Sequence, residues 1–186
     1  MFKERRGFLF FTKMKAVVVD GYNVIHSSSS LSLLLSRNVY RAQDKLVRMV
    51  CRYCSVTHMR GYVVFDAYRR NTDTVEEEVS PLVRVVYTGK GKTADSYIER
   101  FIAKNKRNFK YSYIYVVTSD YTQGMTVLDE HILPVSPTNF LRELESSWKE
   151  VKKRYLSHSS FTYHLIPSDL REKIFRKFKL RKHPGS

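Results

Sequence analysis

Disulfides are the first thing this 186-residue chain lacks. Its two cysteines, Cys51 and Cys54, are too few for a cross-linked framework, so it reads as a protein of a reducing, intracellular compartment. Long hydrophobic runs are missing too: none approaches the ~18 residues of a membrane-spanning helix. There is no internal repeat. Acids are scarce, 18 Asp and Glu against 33 Lys and Arg, which leaves a net charge of +15 and a pI near 9.9. That balance excludes an acidic disordered regulator and makes a polyanion the expected partner. What is present is enough apolar residue, 42%, to build a core, and a length that favours one compact domain with appendages.

The chain divides by composition into a flexible basic leader (1–14), a main domain (15–160), and a basic C-terminal helix and tail (161–186). The leader carries Lys3, Arg5, Arg6 and Lys13 around Phe8–Phe11, too short an apolar stretch for a secretory signal, and Met14 is an alternative start. From Ala16 onward strand-like and helix-like segments alternate, the pattern of a parallel sheet with crossover helices. Strands are expected at Ala16–Val19, Tyr62–Phe65, Val83–Tyr87, Tyr113–Val117 and near His131–Val135. Helices are expected over Asn38–His58 and Ala94–Lys104, the second capped by Thr93, and from Pro137 to about Tyr155. The Ser27–Ser32 run reads as a surface loop. In the tail a helix is expected over Asp169–Phe178, and a positive cluster that includes Lys177 and Arg181 is expected to touch phosphate.

The few acids fall in a pattern. Val17–Val19 ends in Asp20, Val63–Phe65 in Asp66, and Tyr115–Val117 in Thr118-Ser119-Asp120; Asp95 opens the helix after the Val83–Tyr87 strand. In an open parallel sheet those positions share the edge where ligands bind. Taken singly, each Asp is ordinary turn or cap chemistry. Together they are costly, because two carboxylates ~5 Å apart repel by roughly 3 kcal/mol at an effective dielectric of 20. Such a cluster needs protons or a cation, and all-oxygen donors without His or Cys select Mg²⁺ or Mn²⁺. Asp20, Asp66, Asp95 and Asp120 are therefore the candidate metal ligands.

Four segments, Val19-Asp20-Gly21-Tyr22-Asn23-Val24-Ile25, Val64-Phe65-Asp66-Ala67, Thr93-Ala94-Asp95 and Thr118-Ser119-Asp120-Tyr121-Thr122, occur in the order and spacing of a known family. They resemble the signatures of the YacP-like NYN domain, a branch of the PIN-like nucleases whose bacterial representative is a ribosome-associated endoribonuclease. The resemblance implies a three-layer α/β/α fold around a mostly parallel sheet. It also implies a divalent-metal site that cleaves RNA, with mRNA or rRNA and the ribosome as partners. Asp20, Asp95 and Asp120 match the catalytic acids, Asn23 an orienting polar group beside them, and Asp66 a motif acid of less defined role. The compartment implied is a bacterial cytoplasm, or an organelle stroma in a eukaryote.

Around that edge, Arg69, Arg70, Lys90 and Lys92 are candidates to grip RNA phosphates, and Tyr22 or Tyr68 to stack on an unpaired base. For Tyr22 a packed turn aromatic is an equal alternative. Gly89-Lys90-Gly91-Lys92-Thr93 is not a phosphate-binding P-loop, since Val86 stands where the first glycine is required, so no nucleotide cofactor is expected. Cys51 and Cys54 lie on a helix without a second ligand pair and read as buried thiols, not a zinc site. A non-catalytic RNA- or ribosome-binding module on the same scaffold is the rival reading; a phosphatase or DNA nuclease with the same metal site is a third.

Overall fold

The computed structural model of the chain describes residues 13–66, 73–107, 110–119 and 130–149. In order these form β1 (Ala16–Asp20), α1 (Gly21–His26), α2 (Ser29–Arg37), α3 (Val39–Thr57), β2 (Arg60–Phe65), β3 (Val75–Ser80), β4 (Val83–Tyr87), α4 (Ala94–Arg107), β5 (Ile114–Val117) and β6 (Ile132–Val135). A further helix, α5, covers 137–149. The chain separates into two compact units, 1–147 and 148–186; in the second, only 148 and 149, at the end of α5, are described.

The six strands form one sheet in the order β3-β4-β2-β1-β5-β6. Every pairing is parallel except β3 with β4. β1 is central, and all five of its residues are buried, as a run of valines covered on both faces should be. Its register sets Val19 beside Val63 of β2 and Val117 of β5. The carboxyl ends of β1, β2 and β5 therefore come out level.

Alternation along the strands feeds two separate cores. Val17, Val19, Val63, Phe65 and Val85 face Ile25, Leu31, Leu46, Val50 and Cys54 of α1–α3 and Phe140 and Leu144 of α5. Val18, Tyr62, Val64, Val86 and Val116 face Ala94, Ile98 and Ile102 of α4. The result is the three-layer α/β/α arrangement with a mostly parallel central sheet. Among the described residues no helix is long and apolar enough to cross a membrane.

The helical stripes of α3 and α4 sit where the apolar spacing puts them, with Asn38 capping α3 through Arg41 N (3.0 Å) and His58 ending it in the left-handed region. Thr93 caps α4 reciprocally: Ser96 N donates to Thr93 Oγ1 (3.2 Å) and Thr93 N to Ser96 Oγ (3.1 Å). Cys54 is buried and Cys51 half-buried, both as free thiols. Two elements depart from the sequence reading. Ser27–Ser32 is not a loop: Ser28 caps α2, accepting from Leu31 N (3.4 Å), and Leu31, Leu34 and Leu35 turn the following segment onto the core. The strongly charged Val75–Ser80 is a strand, β3, because an antiparallel edge strand can expose its Glu side chains. Glu76, Glu77 and Glu78 also discourage edge-to-edge pairing with another molecule.

Gly61 in β2 is a close-packing point. A Cβ there would stand 2.8 Å from Cys54 Sγ and 3.2 Å from Val83 Cγ2, so α3 lies as near β2 as a side chain-free residue allows. Gly61→Ala is expected to destabilise the fold by about 1–3 kcal/mol, as overpacking does. Urea unfolding would show a lower midpoint at an unchanged slope; an unchanged midpoint would refute this contact.

Candidate functional site

β1 stops at Asp20 because Asp20 becomes the N-cap of α1. Its Oδ1 accepts from the Asn23 backbone N (3.0 Å) and its Oδ2 from Asn23 Nδ2 (2.9 Å). The following glycine is required: a Cβ on Gly21 would overlap the ring of Phe65, which is wholly buried at the end of β2. So the sharp exit from strand to helix exists only because residue 21 has no side chain.

Asn23 is the hub of this edge. Besides Asp20, its Nδ2 donates to Thr118 Oγ1 (3.0 Å), and its Oδ1 accepts from Ser119 Oγ (2.9 Å). One amide thus ties the β1–α1 junction to the segment leaving β5. Thr118 and Ser119 were legible only as members of a motif, with no role attached; small hydroxyl residues immediately after a buried strand were the available signal.

At the neighbouring strand, Asp66 follows β2 and turns toward α4. Its Oδ1 accepts from the backbone N of Ala94, the first residue of α4, and from Thr88 Oγ1 (3.4 Å). Asp66 therefore fastens the start of α4, the helix whose second residue is Asp95. Asp95 is exposed in the first turn, where the helix dipole favours a negative charge.

The electrostatics identify Asp20 as the unusual member. Only 8% exposed, its carboxyl is pushed up from 3.8 to about 6. Burial is the main cause; the charges of Asp95 and Asp66 add to it, and the backbone N–H of Asn23 opposes it. Asp20, Asp66 and Asp95 thus share one electrostatic neighbourhood, as the strand-end pattern requires. Their donors are all carboxylate oxygens, the donor type that Mg²⁺ and Mn²⁺ prefer. Among the described residues no three Asp, Glu, His or Cys side chains come together closely enough to hold a metal ion by themselves.

Lys90 and Lys92 are exposed on the β4–α4 loop, which turns at Gly91 with φ +70°. Tyr22 is half-buried: its hydroxyl accepts from Gln43 Nε2 (3.1 Å) and its ring meets Phe65 edge-on at 5.5 Å. That is the packed-aromatic arrangement. Asp120, Tyr68, Arg69, Arg70, Lys177 and Arg181 lie outside the described residues, as does the Asp169–Phe178 segment.

Comparison with known proteins adds four findings. The family model for the YacP-like NYN domain matches residues 17–182. The chain is 32% identical over 141 residues to the uncharacterized protein YacP of Bacillus subtilis (strain 168), across 76% of this chain and 81% of that one. It superposes on the crystal structure of Rae1 (YacP) from Bacillus subtilis with a TM-score of 0.65 at 29% identity, covering 89% of this chain and 93% of that one. For a tryptophan-to-leucine mutant of that same protein the TM-score is 0.64 at 31% identity, covering 79% of this chain and 85% of that one.

A raised carboxyl pKa means that ionised Asp20 costs the fold stability. The cost is absent well below pH 3.8, where both states are protonated, and grows as pH rises from 3.8 to about 6. It then levels off at a value on the order of 3 kcal/mol, at 1.36 kcal/mol per unit. Asp20→Asn removes that cost but places two amide donors face to face at Asn23, forfeiting about 1 kcal/mol of hydrogen bonding. In EDTA, Asp20→Asn is expected to melt a few degrees above wild type at pH 7–8, with the gain vanishing between about pH 4 and 5 and reversing below that. Thermal unfolding from pH 4 to 8 checks this; parallel curves for the two proteins would sink it.

Proposed function

The chain belongs to the YacP-like NYN domain family, a nuclease-like domain, and on that premise we propose that it is a metal-dependent endoribonuclease. The observation that carries this reading is Asp20: a buried carboxylate at the end of the central strand, in the field of two more acids, on a chain of net charge +15. A fold gives up stability to such a cluster where a cation and a polyanion are to meet.

Asp20 and Asp95, together with Asp120, would hold Mg²⁺ or Mn²⁺. When bound, such a cation would supply charge neutralisation at a phosphodiester oxygen and a more acidic water. The chain's own groups do the rest. Asn23 keeps both oxygens of Asp20 in a fixed orientation. Asp66 holds the first turn of α4 and, with it, Asp95. Lys90 and Lys92 meet flanking phosphates from the exposed loop, and Arg69 and Arg70 do the same from the segment after β2. Such contacts fix position along a strand without reading sequence. The substrate proposed is mRNA engaged on the ribosome, with the cationic tail around Lys177 and Arg181 as an additional phosphate contact.

The test is cleavage of an end-labelled single-stranded RNA with Mg²⁺ and with EDTA. Wild type is expected to give internal fragments only with Mg²⁺. Asp95→Asn is expected to be slower by about 100-fold or more. Because Asp95 is exposed, the same change should cost the fold no more than about 1 kcal/mol of helix-dipole interaction. Equal rates in the two proteins would overturn the assignment of Asp95. RNA binding without Mg²⁺-dependent cleavage by wild type would favour the non-catalytic binding module.

A further inference from the structure

On the α4 face of the sheet a cleft of about 580 Å³ opens between α4 and the β3–β4 pair. Its apolar wall is aromatic. Tyr62 packs on Phe101 at 4.5 Å, and Tyr97 stacks along the same helix with its ring 27° from that of Phe101. Its rim is cationic, with Lys92, Arg100, Lys104 and Lys110 all exposed. Among the described lining residues the single acid is Glu76, which already accepts from Tyr97 Oη (2.7 Å) and faces Arg84 at 3.8 Å. The remaining four cations face the cleft without a lining acid to offset them.

Where this cleft begins and how far it runs indicate what it takes. One end is formed by Lys92, on the loop that leads to Asp95, and by Thr74, just before β3, which ties to that loop: Gly89 N donates to Thr74 Oγ1 (3.1 Å), and Asp66 holds Ala94 N. From there α4 runs back along the sheet. Ala94 and Lys104 are ten residues apart, about 15 Å of helix at 1.5 Å per residue. Arg100 and Lys104 stand one turn apart on the same face, and Nε of Arg100 is fixed by the Ser96 carbonyl (2.9 Å). Cations spread over that distance outspan any single phosphate group. They suit a polymer with regularly repeated charge, and the aromatic wall suits one whose bases are unpaired.

We propose that this cleft is a binding track for single-stranded RNA, leading along α4 to the acidic edge, with Lys92, Arg100, Lys104 and Lys110 on phosphates and Tyr97 and Phe101 against a base. The choice of RNA as the polymer rests on the function proposed above; the track itself rests on the cleft.

The experiment is fluorescence anisotropy of a labelled single-stranded RNA in EDTA, titrated across KCl concentrations, for wild type and the double variant R100Q/K104Q. Glutamine keeps helix propensity, and matched melting curves establish that the variant is folded. The variant is expected to bind about tenfold more weakly, with a salt slope shallower by about 1.4, two phosphates at roughly 0.7 each. Unlabelled RNA should displace the probe far better than inorganic polyphosphate of equal charge. Unchanged affinity and slope would overturn the track even if wild type cleaves RNA. Equal displacement by polyphosphate would overturn the base contact and with it the assignment to RNA. Should wild type bind through these residues yet cleave nothing with Mg²⁺, the catalytic reading fails and the track stands.

Discussion

A carboxylate kept out of water at the end of a buried strand is the constraint around which the described structure is arranged. Asp20 cannot move away from that position, because β1 is paired on both sides and covered on both faces. Nor can the chain turn more gently after it, because Phe65 fills the space beside Gly21. The polar groups within reach of Asp20 are the backbone N–H of Tyr22 and, above all, the donors of Asn23. Asn23 meets Asp20 with a backbone and a side-chain donor at once, and fixes its own amide against Thr118 and Ser119. Even so the carboxyl stays well above its ordinary pKa. Hydrogen bonding has reduced the cost of this charge without cancelling it.

The three described acids of the edge have three different environments, and so three different uses. Asp20 is buried, Asp66 is engaged largely with the first N–H of α4, and Asp95 is exposed in a helix's first turn. Their mutual repulsion is partly offset by local dipoles at Asp66 and Asp95, where helix N-termini favour anions. At Asp20 burial outweighs the equivalent help from α1, a helix of only six residues.

Much of this was legible in the order of residues, because it depends on local pattern. A run of β-branched residues closed by Asp marks a strand end in a parallel sheet, and apolar spacing marks the inner stripes of α3 and α4. The family motifs follow from the same segments. What pattern could not supply was anything set by partners distant in the chain. Asn23 and Ser119 are 96 residues apart, and Asp66 and Ala94 are 28 apart. Tyr22 could be placed against Gln43 and Phe65 only once α3 and β2 were in position. The α2 helix was hidden because serine is a poor helix interior residue and a good cap, so a run of serines looks like a loop until the leucines behind it find a core. β3 was hidden because its glutamates need only one paired neighbour and open solvent.

The asymmetry of the layers accounts for the second feature of the surface. Helices α1, α2, α3 and α5 share one face of the sheet, while α4 alone among the described helices packs on the other. A single helix about 10 Å across cannot cover a sheet of several strands at ~4.8 Å spacing. On this face large aromatic side chains fill in: the ring of Phe101 on α4 packs at 56° against Tyr62 of β2 and stacks on Tyr111, and Tyr62 and Tyr111 join their hydroxyls at 2.7 Å. Aromatics can close a core from one side and still present an edge to a groove, which aliphatic packing of the same area does less well. Long cationic side chains at such a rim can cover apolar surface with their stems while their charge stays in water. A cationic, aromatic-walled cleft on this face thus follows from using one helix where the opposite face has four.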